Sequence, residues 1–266
     1  MAVRNSSSNY AILSEGLRVG FRSSGTELIP RLSSVFPPGS IQTDFANLDF
    51  VYSLDEEPGR KSYTAYFKSR ALIRRATLSA ALDSIASDVQ HTVATYSRGN
   101  LFLHAGVIGW RGRAVLFPGR TCTGKSTLVH ALIRAGAIYF SDEFALVDAS
   151  GNVHPFARPL SLRSLKGRST VCPDEEGLKV APGPCRAGVI IATQYKPSGA
   201  WCPSHLSQGQ ATLELLRNTV AVRSDPGRAI RYTGKLASSA IAIRSPRGDS
   251  EVAAPLLLET LDRFLN

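Results

Sequence analysis

"PGRTCTGKST", Pro118 to Thr127, is the stretch on which the reading of this chain turns. Gly119 and Gly124 bracket four variable residues, and Lys125 and Ser126 follow at once, which satisfies the pattern G-x-x-x-x-G-K-[ST]. Each position has a physical reason. Glycines let the backbone curl tightly, so that successive N–H groups converge on phosphate oxygens. A helix beginning at the end of the loop adds its N-terminal dipole. The lysine reaches the β- and γ-phosphates, and the serine hydroxyl can ligate Mg²⁺. Gly119, Arg120, Thr121, Cys122, Thr123, Gly124, Lys125, Ser126 and Thr127 are therefore the expected contacts of ATP or another nucleoside triphosphate. Cys122 reads two ways, as a small filler or as a thiol activated by the helix N-terminus.

The flanking sequence has the order this loop needs. "FLHAGVIGW" and "RAVLF" are apolar, β-branched runs joined by "RGR", and predict a hairpin whose second strand feeds the loop. "GKSTLVHALIRAG" predicts a helix, with Leu128, Ala131, Leu132 and Ala135 on one face and Gly136 as its C-terminal stop. "AIYF" predicts a buried strand that ends in "SDE".

That ending supplies Asp142 and Glu143. A phosphate-bound Mg²⁺ needs a carboxylate, and buried strand ends are where such carboxylates stand. Two adjacent acids can divide the work: one holds the metal or its waters, and the other takes a proton from an attacking hydroxyl. His104 lies on the strand before the loop strand, and a hairpin returns it to the phosphate end. It reads equally as a group that contacts phosphate and as a hydrogen-bonded core histidine.

The rest of the chain sets the frame. Its 266 residues are 43% hydrophobic and 20% charged, which is globular and not disordered. No apolar run approaches the roughly 18 residues of a membrane span, and the N-terminus lacks the apolar block of a signal peptide. The expectation is a soluble cytoplasmic protein. The formal net charge of +10 favours anionic partners, and suits an acidic acceptor as well as ATP alone. Aromatic and basic residues are not interleaved as in nucleic-acid-binding modules, so no nucleic-acid partner is expected. The four cysteines include no C-x-x-C pair, and beside Cys202 and His205 there is no second pair with ligand spacing. A homo-oligomer stays open.

Residues 1–96 read as a smaller N-terminal α+β lobe. "GLRVGFRS" and "SYTAYFK" have strand character, and Leu78, Ala81, Leu82, Ile85, Val89 and Val93 recur at helical spacing. "SRGN" at 97–100 ends that helix, and residues 97–266 carry every phosphate-handling motif. Later, "AGVIIATQY" predicts a strand, and "QATLELLRNTV" and "APLLLETLDRFLN" predict amphipathic helices.

"LHAGVIGWRGRAVLFPGRTCTGKSTLVHALIRAGAIYFSDEFALVD" resembles the catalytic core of HPr kinase/phosphorylase. That family places a histidine on the strand before a short P-loop, then a helix, then an acidic pair on the next strand. The resemblance implies an α/β P-loop core of the HPr kinase / phosphoenolpyruvate carboxykinase type. It implies Mg-ATP-dependent phosphorylation of a serine hydroxyl on a peptide or small protein. On that basis Lys125 binds phosphate, Ser126 and Asp142 serve the metal, Glu143 is the general base and His104 the active-site histidine. Asp142-Glu143 departs from the family's Asp-Asp. The family's Glu-Ile-Arg-Gly-like segment and basic Pro-Gly loop have only loose counterparts in "SLRSLKGRS" and "RSPRGDS". The chain looks more like the related serine kinases of peptide-modifying pathways, lasso peptide tailoring kinases among them. A small-molecule phosphotransferase of the same fold and a non-catalytic nucleotide-binding module are the competing readings.

Overall fold

Ser8–Ser14 (β1) and Leu17–Ser23 (β2) are strands, buried over much of their length, that pair antiparallel about Glu15-Gly16. Both turn residues have positive φ, 50° and 78°, the mirror-image turn that matches strand twist. A computed structural model describes residues 8–57, 59–120, 123–164, 167–173 and 175–266; Thr121 and Cys122 of the loop lie outside the described residues. The chain divides into two units, Met1–Gly99 and Asn100–Asn266.

In the first unit a short helix, Ile29–Leu32 (α1), precedes Ile41–Thr43 (β3), Phe50–Glu56 (β4), Tyr63–Phe67 (β5) and Arg70–Ala76 (β6). The sheet order is β3-β1-β2-β4-β5-β6. The helix Leu78–Tyr96 (α2) starts where the Thr77 hydroxyl accepts from the Ala80 N–H, and it packs on β5 and β6. Ala81, Ile85, Val89 and Val93 form its buried stripe, while Leu78 and Leu82 lie half-buried at its margins.

The second unit is built on Leu101–Trp110 (β7) and Arg113–Pro118 (β8), the expected hairpin. Lys125–Arg134 (α3), Ile138–Ser141 (β9), Phe144–Val147 (β10) and Asn152–His154 (β11) follow. Next come the ribbon Leu160–Ser164 (β12) with Gly167–Val171 (β13), then Cys185–Tyr195 (β14) and Ser204–His205 (β15). Gln208–Arg217 (α4), Pro226–Ser239 (α5), Ile241–Arg247 (β16) and Ser250–Leu265 (α6) complete it.

The main sheet runs β11-β10-β7-β8-β14-β16-β15, with β9 also on β7. β8, β14 and β16 are mutually parallel, so their carboxyl ends share one edge, the usual position of a ligand crevice in an α/β sheet. Leu128 and Leu132 of α3 and Leu257 and Leu261 of α6 cover one face. Ala211 and Leu215 of α4 and Ala229 and Leu236 of α5 lie in a separate core cluster. Each of these leucines is 0% exposed, and burial of such a side chain contributes about 1.5–3 kcal/mol. The result is a mixed α/β unit with the glycine loop at the end of a central parallel strand.

Candidate phosphate-binding and phosphoryl-transfer site

The loop leaves β8 at Pro118 and is tied to β7 at once: the Gly119 N–H donates to the His104 carbonyl at 3.0 Å. A Cβ at Gly119 would lie 3.0 Å from Thr123 Oγ1, so a side chain would crowd the curled loop. Gly124 has φ +79°, and a Cβ there would fall 2.7 Å from an Arg247 nitrogen. Conformation and the buried Arg247 nitrogen both favour glycine at 124, whereas at 119 only the close Thr123 hydroxyl does.

α3 starts at Lys125 with Gly124 as its N-cap, without a side-chain cap and without an acidic residue in the first turn. Its leading N–H groups are left for an anion. Lys125 Nζ donates to the Arg120 carbonyl at 2.7 Å, and Thr123 Oγ1 donates to the same oxygen at 2.8 Å. These two bonds brace the loop across its own mouth. Ser126 is half-buried and Thr127 exposed in the first helical turn.

β9 and β10 run along the same side of β7, and Asp142-Glu143 is the interruption between them. Ser141 Oγ shapes it by accepting from the Glu143 and Phe144 N–H groups, at 3.3 and 3.1 Å. The Ala105 N–H donates to the Glu143 carbonyl at 3.1 Å, while Ala105 pairs with Pro118 on β8. A single residue of β7 therefore separates the acidic pair from the root of the loop.

Asp142 is only 9% exposed, and its Oδ1 lies 3.1 Å from the Tyr139 hydroxyl. That hydroxyl is also 2.9 Å from the Arg158 carbonyl. Burial pushes the Tyr139 hydroxyl far up, with Asp142 adding to the shift, so it stays a donor. Glu143 Oε2 accepts from Arg158 Nη1 at 2.9 Å. Burial raises the Glu143 carboxyl above its ordinary value. Arg158 opposes the rise, Asp142 adds to it, and Lys125 opposes it. Half of the Glu143 side chain remains accessible, so it is sunk among protein atoms on one side and open on the other. Lys125 and Glu143 are thus close enough to feel each other's charge.

His104 comes to the loop as the hairpin reading required. Its N–H donates to the Asn218 carbonyl at 2.7 Å, and its ring lies on Phe144 with centroids 4.9 Å apart. The backbone of this residue fastens the loop whatever its imidazole does.

Three contributors escaped the sequence reading. Arg158 sits in "HPFARPLSLR", where nothing marked it. Asn218, at the end of α4, extends the pairing edge beyond β8. Arg247, in "RSPRGDS", is 2% exposed and donates to the Gly124 carbonyl at 2.8 Å. For Arg247 the signal was present, a basic residue beside Pro and Gly after an apolar run, but spacing alone assigned it no target.

A cleft of about 530 Å³ opens beside the loop, lined by Gly119, Thr123, the ends of β14 and β16 and the end of α4. Arg120, Lys196, Arg217 and Arg244 line it together with the carboxylate of Glu214, which pairs with Arg244 at 3.2 Å and Arg217 at 3.8 Å. Thr193 keeps a buried hydroxyl oxygen without a hydrogen-bond partner. A larger hollow of about 700 Å³ over Lys196–Ala200 shares only Lys196 and Pro246 with this cleft, and contains no residue of the loop or acidic pair. Of the two, only the smaller touches the loop, and Asp142 and Glu143 line neither.

The donor set fits a phosphate-bound Mg²⁺. No group of three or more His, Cys, Asp or Glu able to hold a metal occurs among the described residues. A Mg²⁺ carried largely by phosphates and water needs one or two protein oxygens, which Ser126 and the recessed Asp142 carboxylate provide in kind.

No helix is long and apolar enough to cross a membrane among the described residues. No family model matches the sequence, and no curated protein does. The chain is similar to the structure of the Hpr(Ser) kinase/phosphatase from Coxiella burnetii, with 16% identity and a TM-score of 0.35, over 61% of this chain and 93% of that one.

Proposed function

We propose that the chain is a Mg-ATP-dependent kinase that transfers the γ-phosphate to a serine hydroxyl of a peptide or small protein. The observation that carries this reading is the placement of Asp142-Glu143 one residue of β7 away from the root of an uncapped P-loop helix, within the electrostatic reach of Lys125. A module that only binds nucleotide needs no such base. Lys125 and the first amides of α3 hold the β- and γ-phosphates. Ser126 and Asp142 hold Mg²⁺, which when bound spreads the charge developing on the phosphoryl oxygens. Glu143 accepts the proton of the attacking hydroxyl.

Strand order separates donor from acceptor. Phosphoryl transfer needs the attacking and leaving oxygens roughly in line. The acidic pair lies beyond β7, about two strand spacings or ~10 Å from β8. The cleft lies on the other side, at the ends of β14 and β16. The acceptor hydroxyl therefore comes in from the acidic side, and the nucleoside diphosphate leaves toward the cleft. The N-terminal unit serves acceptor recognition, because no phosphate-handling motif lies before residue 100. The net charge of +10 favours an acidic acceptor, in keeping with a precursor-peptide tailoring role.

The test is transfer of γ-labelled phosphate to acidic serine peptides and, in parallel, to small hydroxyl compounds. The full chain is expected to label peptide serine. A chain beginning at Tyr96 is expected to bind ATP but label peptide poorly. Label on small compounds alone would favour the small-molecule reading, and tight ATP binding with no transfer to any acceptor would favour the binding module.

Arg158 gives a pH prediction. Glu143 must be unprotonated to act as base, and Arg158 is the main charge holding its raised carboxyl down. Arg158→Met removes that opposition, so the folded-state value rises further. The acid limb of the rate profile then moves to higher pH, and the rate recovers as pH increases. An acid limb that stays in place would separate Arg158 from the base.

A further inference from the structure

Arg247 is a buried cation that, among the described residues, no carboxylate pairs at short range. Nη2 donates to the carbonyls of Gly124 and Thr123, at 2.8 and 3.5 Å. Nη1 donates to Ser250 Oγ and the Gly248 carbonyl, at 3.1 and 3.3 Å. Nε is buried and has no hydrogen-bond partner. Among the described residues no acidic side chain pairs with it within 4.0 Å, although Asp249 acts on it at longer range. One ring, Tyr195, lies under the guanidinium at 5.7 Å. Burial pulls its proton affinity down, but an arginine keeps its charge.

Such a group is expensive. Removing a guanidinium from water is strongly unfavourable unless opposite charge offsets it, and neutral carbonyls offset only part. Its position makes matters worse. Gly124 is the N-cap of α3, so Arg247 sits at the positive end of the helix dipole, with Lys125 next along the chain. Three sources of positive potential converge on one loop, and the first turn of α3 contains no acid.

We propose that Arg247 is a positioning residue whose charge, offset in the free chain only at long range by Asp249, is balanced at short range by a bound polyphosphate. It holds the Thr123 and Gly124 carbonyls turned away from the ligand, which leaves the amides of the loop end pointing toward it. Binding then stabilises the corner of β16 and α6 as well as the loop. The inference rests on the phosphate-site reading above and adds to it a charge outside the motif, together with a coupling between binding and the stability of a second chain segment.

The probe is inorganic pyrophosphate with Mg²⁺, titrated by calorimetry into the wild-type chain, Arg247→Met, Arg247→Lys and Lys125→Ala. Arg247→Met is expected to bind roughly tenfold or more weakly, from the loss of a unit charge at short range in a low-dielectric site. Its unliganded melting point is expected to stay level or rise, because an unbalanced charge is gone. Arg247→Lys keeps the charge and is expected to lose only a few-fold. A purely structural anchor gives the opposite pattern, a lower melting point with unchanged affinity in the folded protein, and that result overturns the proposal. Equal weakening in the Met and Lys variants overturns it too. Should Arg247→Met fail to fold, amide exchange on the wild-type chain decides. Pyrophosphate is expected to slow residues 247–253 as well as the loop, and unchanged exchange at 247–253 overturns the coupling. If Lys125→Ala weakens binding and Arg247→Met does not, this inference alone fails. If the wild-type chain binds no pyrophosphate, the phosphate-site reading falls and takes this inference with it.

Discussion

Lys125→Ala is expected to slow phosphoryl transfer by about 10²–10³ and to weaken Mg-ATP binding. The lysine stands at the first position of α3, with its ammonium folded back on the Arg120 carbonyl at 2.7 Å. A nucleotide offers that ammonium a stronger partner, so the brace is exchanged for a charge-assisted bond to phosphate. Because charge on the phosphoryl oxygens grows toward the transition state, the loss is larger in rate than in affinity. A preorganised donor of this kind is worth about 10²–10³ in rate. Calorimetry with ATP and single-turnover transfer on the same preparations measure both quantities. Unchanged affinity and turnover would remove the P-loop assignment. Loss of binding together with loss of fold would show as a lower melting point, and Lys125→Met, which keeps the aliphatic stem, guards against it.

The loop and its neighbours were legible because they are local. Glycine spacing, an apolar strand before and an amphipathic helix after are fixed within about twenty residues, and the hairpin "RGR" brings His104 back by chain connectivity alone. The unit boundary was read at 96 from "SRGN", and contacts divide the chain at Gly99. What the sequence hid was long-range or weakly patterned. α5 is amphipathic, but its buried stripe of Ala229, Thr233, Leu236 and Ala237 is made mostly of small residues and is interrupted by glycines, so it does not read as an apolar run. Its true signal was Asp225-Pro226, an N-cap followed by a proline in the first turn. α6 was read from its apolar run, yet it begins at Ser250, because the Asp249 side chain accepts from the Glu251 N–H and Pro255 is accommodated inside. Arg158 and Arg247 act across 15 and 123 residues, on Glu143 and Gly124, and no periodicity reports such distances.

The acidic pair is where one substitution can separate chemistry from binding. Glu143→Gln keeps size and a hydrogen bond from Arg158 but cannot take a proton. If Glu143 is the base, nucleotide affinity is expected to survive while serine phosphorylation falls by roughly two to four orders of magnitude. The loose transition state of phosphoryl transfer places the effect toward the low end of that range, since positioning counts for more than proton removal. Asp142→Asn is expected to act differently. Asp142 is recessed, with Tyr139 beside it, so its carboxylate is held in place and cannot swing to a substrate. Its loss is expected to raise the Mg²⁺ concentration needed for half-maximal rate, with much of the maximal rate recovered at high metal. A Mg²⁺ titration of transfer for both variants, with ATP binding followed alongside, distinguishes the roles. If Glu143→Gln shifts only the metal dependence and Asp142→Asn alone stops transfer, the two assignments are exchanged. Glu143 would then be the metal-side acid, and its bond to Arg158 would orient a ligand and not a base. If neither substitution changes transfer, the acidic pair at the β9–β10 interruption has no part in phosphoryl transfer and the chain is better described as a nucleotide-binding module.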